Sequence, residues 1–588
     1  MGVLCLLLAV IALPEDPTPV ERRAAEELRD AVRRMTGAEE RVVSEKDVPA
    51  GAGTSFFVGA TRAAAALAPT SWRPDEVLVA PVAGGVVLTG HPERGAFYAV
   101  DTYLEKTCGV RWWTSTESFY PQLAAMPVPA GAIRHAPKIR YRETYYLDGY
   151  TNALFKVRSK GNFSSRTRYM FRPLEFVPPE LGGDHRLLYY KGRGSAYHSF
   201  FEVLPPKVHF ERHPEWFSLV GGKRVAKQLC LTNDEMKRAY VAETLRLLGE
   251  DPGVDFVSVS QNDWNGACEC EKCRAVIEEE GAESGLYLRF ANDVAAEIEK
   301  VFPKVMVDTF AYQFTVHPPR HVKPRHNVVV RLCSIGAAFN EPLETRRLDD
   351  GFTDDLEKWS AIAPGRLFVW DYVVNFHSYM MPYPNLRVLA PNVRLFARAG
   401  AAGVFEQGDA LCAAGSFASL KHWYLSHLLW DPDADARALA DDFLNGYYGR
   451  RASPFLRRYI DVFEDAAARH AARGGWMKYG KSDVALFVTE REAYAAKDLM
   501  DRALAAAEAD GPDCVRRLRR EKLSLDHAFL VNFRRWHVKG RRADAVERWI
   551  AACRDFGVEA WRETVDRGLL DAYFKTLRNE GDGRERVR

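Results

Sequence analysis

Val254–Cys273, VDFVSVSQNDWNGACECEKC, is where an apolar run passes directly into a dense group of reactive side chains. Val254, Phe256, Val257 and Val259, with Ser258 and Ser260 between them, form the short β-branched run expected of a parallel strand buried on both faces. Gln261, Asn262, Asp263 and Trp264 follow at once. In parallel α/β sheets ligands bind at the carboxyl ends of the strands, so two amides, a carboxylate and an indole at this point mark a candidate site. The competing reading is a polar turn, with Asn262 and Asp263 bonding the backbone and Trp264 covering the strand end.

Around this stretch, Ile139 to about Leu429 alternates strands with helices. The expected strands are Ile139–Tyr146, Val254–Ser260, Val305–Ala311, Asn327–Leu332, Leu367–Trp370 and Ala402–Phe405. The segment Leu286–Val301, with Leu288, Ala291, Ala295 and Ile298 on one face, is an intervening helix. Repeated β-then-α with right-handed crossovers closes most economically as a (β/α)8 TIM-like barrel, here assigned to residues 137–432. Lys156–Val225, rich in Tyr, Phe, His and Gly, reads as long loops over one end of it.

Before the barrel lies a small α/β domain, residues 1–120. Its first helix has Thr18 as N-cap, Pro19 at the first helical position, Glu21 as capping-box partner and Gly37 after the last turn. Short strands at Ser55–Val58 and Gly85–Thr89 and a helix near Arg94–Lys106 complete it, and Pro121–Ala136 reads as a linker. Residues 433–588 carry the amphipathic pattern of a helical C-terminal domain, with helices at Pro454–Ala471, Glu490–Ala509, Val515–Phe533 and Ala543–Phe556.

The chain has 588 residues, enough for several cores. With 81 basic and 79 acidic residues it carries no single-sign field, which argues against nucleic acid as a partner. The apolar run Val3–Leu13 is too short to span a bilayer. It reads either as a signal-peptide core lacking its basic leader or, from Leu8, as the first buried strand. No other run is long enough for a membrane span.

Each later strand also ends in polar groups: Tyr312 and Gln313; Trp370, Asp371, Tyr372, Asn375 and His377; Glu406, Gln407 and Asp409. Asp263, Asp371 and Glu406 are thereby expected around one rim with aromatic neighbours. That set suits glycoside chemistry, in which one carboxyl protonates the leaving oxygen, a second group supplies or positions the nucleophile, and aromatic rings stack on sugars. Salt bridges or turn caps are the alternative for each acid taken singly. His198, beside Tyr197, Phe200 and Phe201, is a candidate ligand contact from the loop region. Cys268, Cys270 and Cys273, spaced C-x-C-x-x-C, with Cys230 upstream, suit part of a thiolate zinc site, a disulfide set or buried free thiols, and the spacing leaves the three open.

The segments HPERGAFYAVDTYLEKTCGVRWW, ERHPEWFSLVGGKR, QLCLTND, VSVSQNDWNGACECEKC, DTFAYQF, VVVRLCSI, WDYVVNFHSYMMPYPNL and GVFEQGD resemble the group catalogued as domain of unknown function family 4838. That group is classed with glycoside hydrolase family 163, whose reported chemistry is endo-β-N-acetylglucosaminidase action on N-glycans. The stretch Gly90–Trp113 is also similar to the domain preceding the barrel in α-glucuronidases and β-hexosaminidases. The resemblance implies a hydrolase without cofactor or catalytic metal, a glycan or glycoprotein substrate, and an extracytoplasmic (periplasmic or secreted) location.

With an N-acetylhexosamine glycoside, the substrate's own acetamido oxygen attacks the anomeric carbon. The enzyme then needs a general acid and a group that orients the acetamide. Asp263 and Glu406 are the expected catalytic pair, in either order. Asn262, Trp264, Tyr312, Trp370, Asp371, Tyr372, Asn375, His198 and Gln407 are the expected substrate contacts. An exo-glycosidase with a carboxylate nucleophile, or a carbohydrate-binding barrel without catalysis, would fit the same residues.

Overall fold

The computed structural model describes residues 10–49, 54–165, 168–169, 172–190, 196–348, 350–480, 483–564, 566 and 568–580. It is a mixed α/β protein built around a curled parallel sheet. Six strands lie in the spatial order Phe256–Ser258, Met306–Ala311, Val328–Cys333, Leu367–Tyr372, Gly403–Gln407, Tyr141–Thr144, and every neighbouring pair is parallel. These are the six strands legible in the sequence, with no end shifted by more than two residues.

The region Lys156–Val225, expected as loops, supplies two further short strands, Phe163–Ser164 and His185–Arg186, paired in parallel. Asn162 N donates to Arg142 O (3.1 Å), and Leu188 N donates to Phe256 O (2.7 Å). The pair is therefore hydrogen-bonded toward both edges of the six-stranded sheet. The same region carries the antiparallel hairpin Phe217–Val220 with Lys223–Leu229.

Side chains alternate in and out of the curl, as the two-residue period of a strand requires. Tyr141, Phe163, Phe256 and Phe368 meet inside it in edge-to-face and tilted contacts, with centroid separations of 5.2–6.1 Å. Above them the buried Arg331 guanidinium pairs with Asp308 (2.7 Å) and lies over the Phe163, Tyr197 and Phe368 rings. Higher still, Tyr197, Phe310, Trp370 and Phe405 pack together. The residues one position off this alternation face the surrounding helices: Thr144, for example, hydrogen-bonds His422 and Ser426 of the helix Ala418–Trp430.

The N-terminal sheet orders Arg41–Ser44, Val10–Leu13, Ser55–Val58, Gly85–Gly90, Val77–Val82 and Ile133–His135. Val10–Leu13 is thus a buried strand, as the second reading of the opening run expected, while residues 1–9 lie outside the described residues. Thr18 and Glu21 close the expected capping box, and Gly37 ends the helix Pro19–Thr36 in the left-handed conformation that glycine adopts without a Cβ clash. Pro121–Ala136 is more than a linker, since its Ile133–His135 forms the edge strand of this sheet. The buried Asp75 carboxylate joins the two sheets by accepting from Arg94 (2.8 Å) and from Arg142 (2.7 Å) of the barrel-side strand.

The C-terminal part is helical, with Ser453–Ala472, Glu490–Ala507, Pro512–Val531 and Arg542–Asp555 close to their expected bounds and Leu569–Asn579 in addition. No helix among the described residues is long and apolar enough to cross a membrane.

Candidate active site

A cavity of about 460 Å3 opens at the carboxyl ends of the parallel strands. Its walls include His198, Asp263, Phe310, Tyr312, Trp370, Tyr372, Phe376 and Gln407, with Tyr479 and Glu563 reaching in from the C-terminal part. Two carboxylates among so many rings give it the character of a sugar site, since ring faces accept C–H-rich sugar faces and acids perform the bond chemistry.

Asp263 is the best-placed acid. It lies in the loop after Phe256–Ser258, its side chain is 55% exposed, and its Oδ1 accepts the phenol hydrogen of Tyr312 at 2.9 Å. Gln313 Nε2 in turn donates to the Tyr312 oxygen (3.0 Å), fixing the ring from behind. Burial first, and the Asp263 charge next, raise the Tyr312 phenol above its ordinary range, so it stays a donor. His198 Nδ1 donates to the Gln261 carbonyl (2.8 Å). That bond places a hydrogen on Nδ1, and Nε2 stands 3.9 Å from Asp263 Oδ1. His198 (φ 57°) and Gln313 (φ 52°) both sit in the left-handed region, a cost that clusters at ligand sites.

Trp370 Nε1 donates to Gln407 Oε1 at 2.7 Å. An indole N–H can only donate, so the Gln407 oxygen is committed to it and the amide nitrogen remains on the cavity wall as a donor.

Six of the expected site residues therefore line one cavity: Asp263, His198, Tyr312, Trp370, Tyr372 and Gln407. Five do not. Asn262 and Trp264 are turned toward the hairpin, where Asn262 Nδ2 (2.9 Å) and Trp264 Nε1 (2.7 Å) both donate to Lys227 O. Asn375 is buried and its Oδ1 accepts from His377 N (3.1 Å).

Asp371 and Glu406 are the substantial correction. They are paired in register on adjacent strands, each one residue off the inward alternation. Glu406 is completely buried, and neither carboxylate oxygen has a hydrogen-bond partner among the described residues. Burial first, and the Asp371 charge next, raise its carboxyl well above the usual range. Asp371 is pushed up to about 6 by burial, against hydrogen bonds from Ser334 Oγ (2.5 Å) and Tyr372 N (3.0 Å). Glu406 is thus not on the wall of the cavity that holds Asp263, because Gln407 and not Glu406 occupies the inward position of its strand.

Sequence reasoning missed Tyr479 and Glu563. Phe376 N donates to Tyr479 O (2.7 Å) and Glu563 N to Phe376 O (2.9 Å), so the loop after Leu367–Tyr372 binds both C-terminal segments to the cavity rim. No local pattern near either residue signals this.

Residues 112–461 match the family described as "Domain of unknown function (DUF4838)". No curated protein matches the chain. Among solved structures the chain is similar to CpGH89 from Clostridium perfringens in complex with its substrate GlcNAc-alpha-1,4-galactose, at 11% identity and a TM-score of 0.51, covering 95% of this chain and 70% of that one. It is also similar to a GH138 enzyme targeting pectin rhamnogalacturonan II, at 9% identity and a TM-score of 0.45, covering 93% and 73%. A further likeness is to the beta-N-acetylhexosaminidase from Bacteroides fragilis NCTC 9343, at 11% identity and a TM-score of 0.40, covering 75% and 90%. The first of these is a likeness of fold alone.

Proposed function

We propose, for a chain that belongs to the DUF4838 family, that the cavity at the strand ends hydrolyses glycosidic bonds. The observation that carries this is a single aromatic-walled cavity holding two carboxylates, Asp263 and Glu563, at the face of a parallel sheet where catalysis is commonly located. The proposal assumes an irregular (β/α)8 barrel made up of the six-stranded sheet and the two-stranded pair.

The reading is refined to a substrate-assisted β-N-acetylglucosaminidase. Tyr312 holds Asp263 through Oδ1, which leaves Oδ2 to accept the acetamido N–H of the substrate and turn its carbonyl oxygen toward the anomeric carbon. Glu563 protonates the departing oxygen, and Trp370, Tyr372 and Phe376 carry the sugar faces. Endo action on N-glycans and an extracytoplasmic location belong to the same proposal.

The test is a panel of aryl glycosides and N-glycoproteins with products identified by mass spectrometry, alongside a thiazoline analogue as inhibitor. Release of N-acetylglucosamine-terminated products with tight thiazoline inhibition supports the proposal. A covalent glycosyl-enzyme would instead establish a carboxylate nucleophile, and glycan binding without turnover would make the protein a binding module.

A further inference from the structure

The loop that presents Asp263 continues into three cysteines and meets a fourth. Cys268 and Cys270 lie in that loop, Cys273 in the first turn of the helix Glu271–Glu280, and Cys230 just after the hairpin strand Lys223–Leu229. The four sulfurs all lie within 4.8 Å of one another. Cys230 Sγ is 3.7 Å from Cys270 Sγ and 3.9 Å from Cys273 Sγ. A disulfide would bring two of them to about 2.05 Å. Four sulfurs bound to one zinc ion at about 2.3 Å, at tetrahedral angles, stand about 3.8 Å apart. The observed spacing is that of ligands around an ion.

The surroundings suit thiolates. Leu219 N donates to Cys268 Sγ at 3.3 Å, and Arg224 Nη1 lies 3.8 Å from the same sulfur. Thr232 Oγ1 is 3.2 Å from Cys273 Sγ. Cys270 is the N-cap of its helix, where the exposed N–H groups and the helix dipole favour negative charge. Cys230, Cys268 and Cys273 are buried, and Cys270 is half-buried. Such donors around a closed sulfur cage are what a zinc tetrathiolate, carrying a net double negative charge, requires from its surroundings.

We propose that Cys230, Cys268, Cys270 and Cys273 bind one structural Zn2+. Soft sulfur ligands in tetrahedral array exclude calcium and magnesium, and four protein ligands leave no open position for chemistry. Binding replaces four S–H hydrogens with four Zn–S bonds and releases four protons per zinc taken up. The ion clamps the hairpin Phe217–Leu229 to the loop of Asp263, where Asn262 and Trp264 already bond Lys227 O. The inference stands apart from the proposed hydrolysis, because metal content is read without any substrate.

The experiment is elemental analysis of the full chain purified under reducing conditions, with alkylation of native thiols followed by intact mass. One zinc per chain is expected, with four thiols protected until an organomercurial and a chelator release the ion. Cobalt exchange should give the absorption of a tetrahedral tetrathiolate. Cys270→Ser should weaken zinc retention at least ~tenfold, while Cys514→Ser, at a buried cysteine in the helical C-terminal part, should retain it. The wild-type zinc count does not depend on either variant folding. Folded protein that takes up no zinc when it is supplied, a mass deficit of two hydrogens per bridged pair, or stoichiometric iron in place of zinc would overturn the proposal.

Discussion

Tyr312 donates its phenol hydrogen to Asp263 Oδ1 across 2.9 Å, tying together the ends of two neighbouring parallel strands at the cavity. The bond fixes the orientation of an otherwise half-exposed carboxylate. Asp263→Asn should lower kcat/KM by at least ~100-fold, about 2.7 kcal/mol of transition-state stabilisation, with the far-ultraviolet circular dichroism unchanged. Tyr312→Phe, which keeps the ring and removes the donor, should cost roughly tenfold. Near-normal rates in both variants would remove Asp263 from the reaction.

Glu563 comes from the C-terminal part of the chain, yet lines the same cavity as Asp263. Glu563→Gln should cut kcat on substrates with poor leaving groups by at least ~100-fold and spare activated aryl glycosides, since the latter depart without a proton. Equal losses on both substrate types would show that Glu563 is not the proton donor.

Glu406→Gln should leave kcat within about threefold of wild type, because the side chain faces the outer layer and an amide preserves its shape. A loss of orders of magnitude would bring Glu406 back to the chemistry.

Asp371 supplies a pH signature of stability. Its folded-state pKa of about 6 lies above the unfolded value near 3.8, so its contribution is fully present below the unfolded value and is lost as pH rises through the folded one. Asp371→Asn lacks this dependence. The melting temperature of the variant relative to wild type should therefore climb between about pH 4 and pH 6, by the equivalent of about 2–3 kcal/mol. A difference that stays flat over this range would show that Asp371 does not bind its proton more tightly in the folded state.

Asp308 neutralises Arg331 inside the curl of the sheet, with both side chains essentially inaccessible to solvent. Asp308→Ala should destabilise the fold by about 3–5 kcal/mol by leaving the guanidinium buried and unpaired. Replacing both residues with apolar groups of similar volume should recover most of that loss in thermal unfolding. A loss as large in the double variant as in Asp308→Ala would show that packing and not charge dominates.

Much of the fold could be read locally. The six longer strands were apolar runs, and the helix Pro19–Thr36 was marked at both ends by Thr18, Glu21 and Gly37. Phe163–Ser164 and His185–Arg186 were not legible, because two residues are too few to show a period and their aromatic and polar flanks read as loop.

What the sequence by itself determined was the order of the elements and the presence of polar residues where the strands end, for these depend on local composition and spacing. Which of those polar residues face the cavity was decided only in three dimensions. A parallel strand covered on both sides is apolar on both faces, so VFEQ and VWDY carry no in-and-out alternation, and a shift of a single position exchanges Gln407 for Glu406 and Tyr372 for Asp371. The same holds for Glu563, which reaches the rim of Asp263 through backbone pairing with Phe376, a contact between segments far apart along the chain.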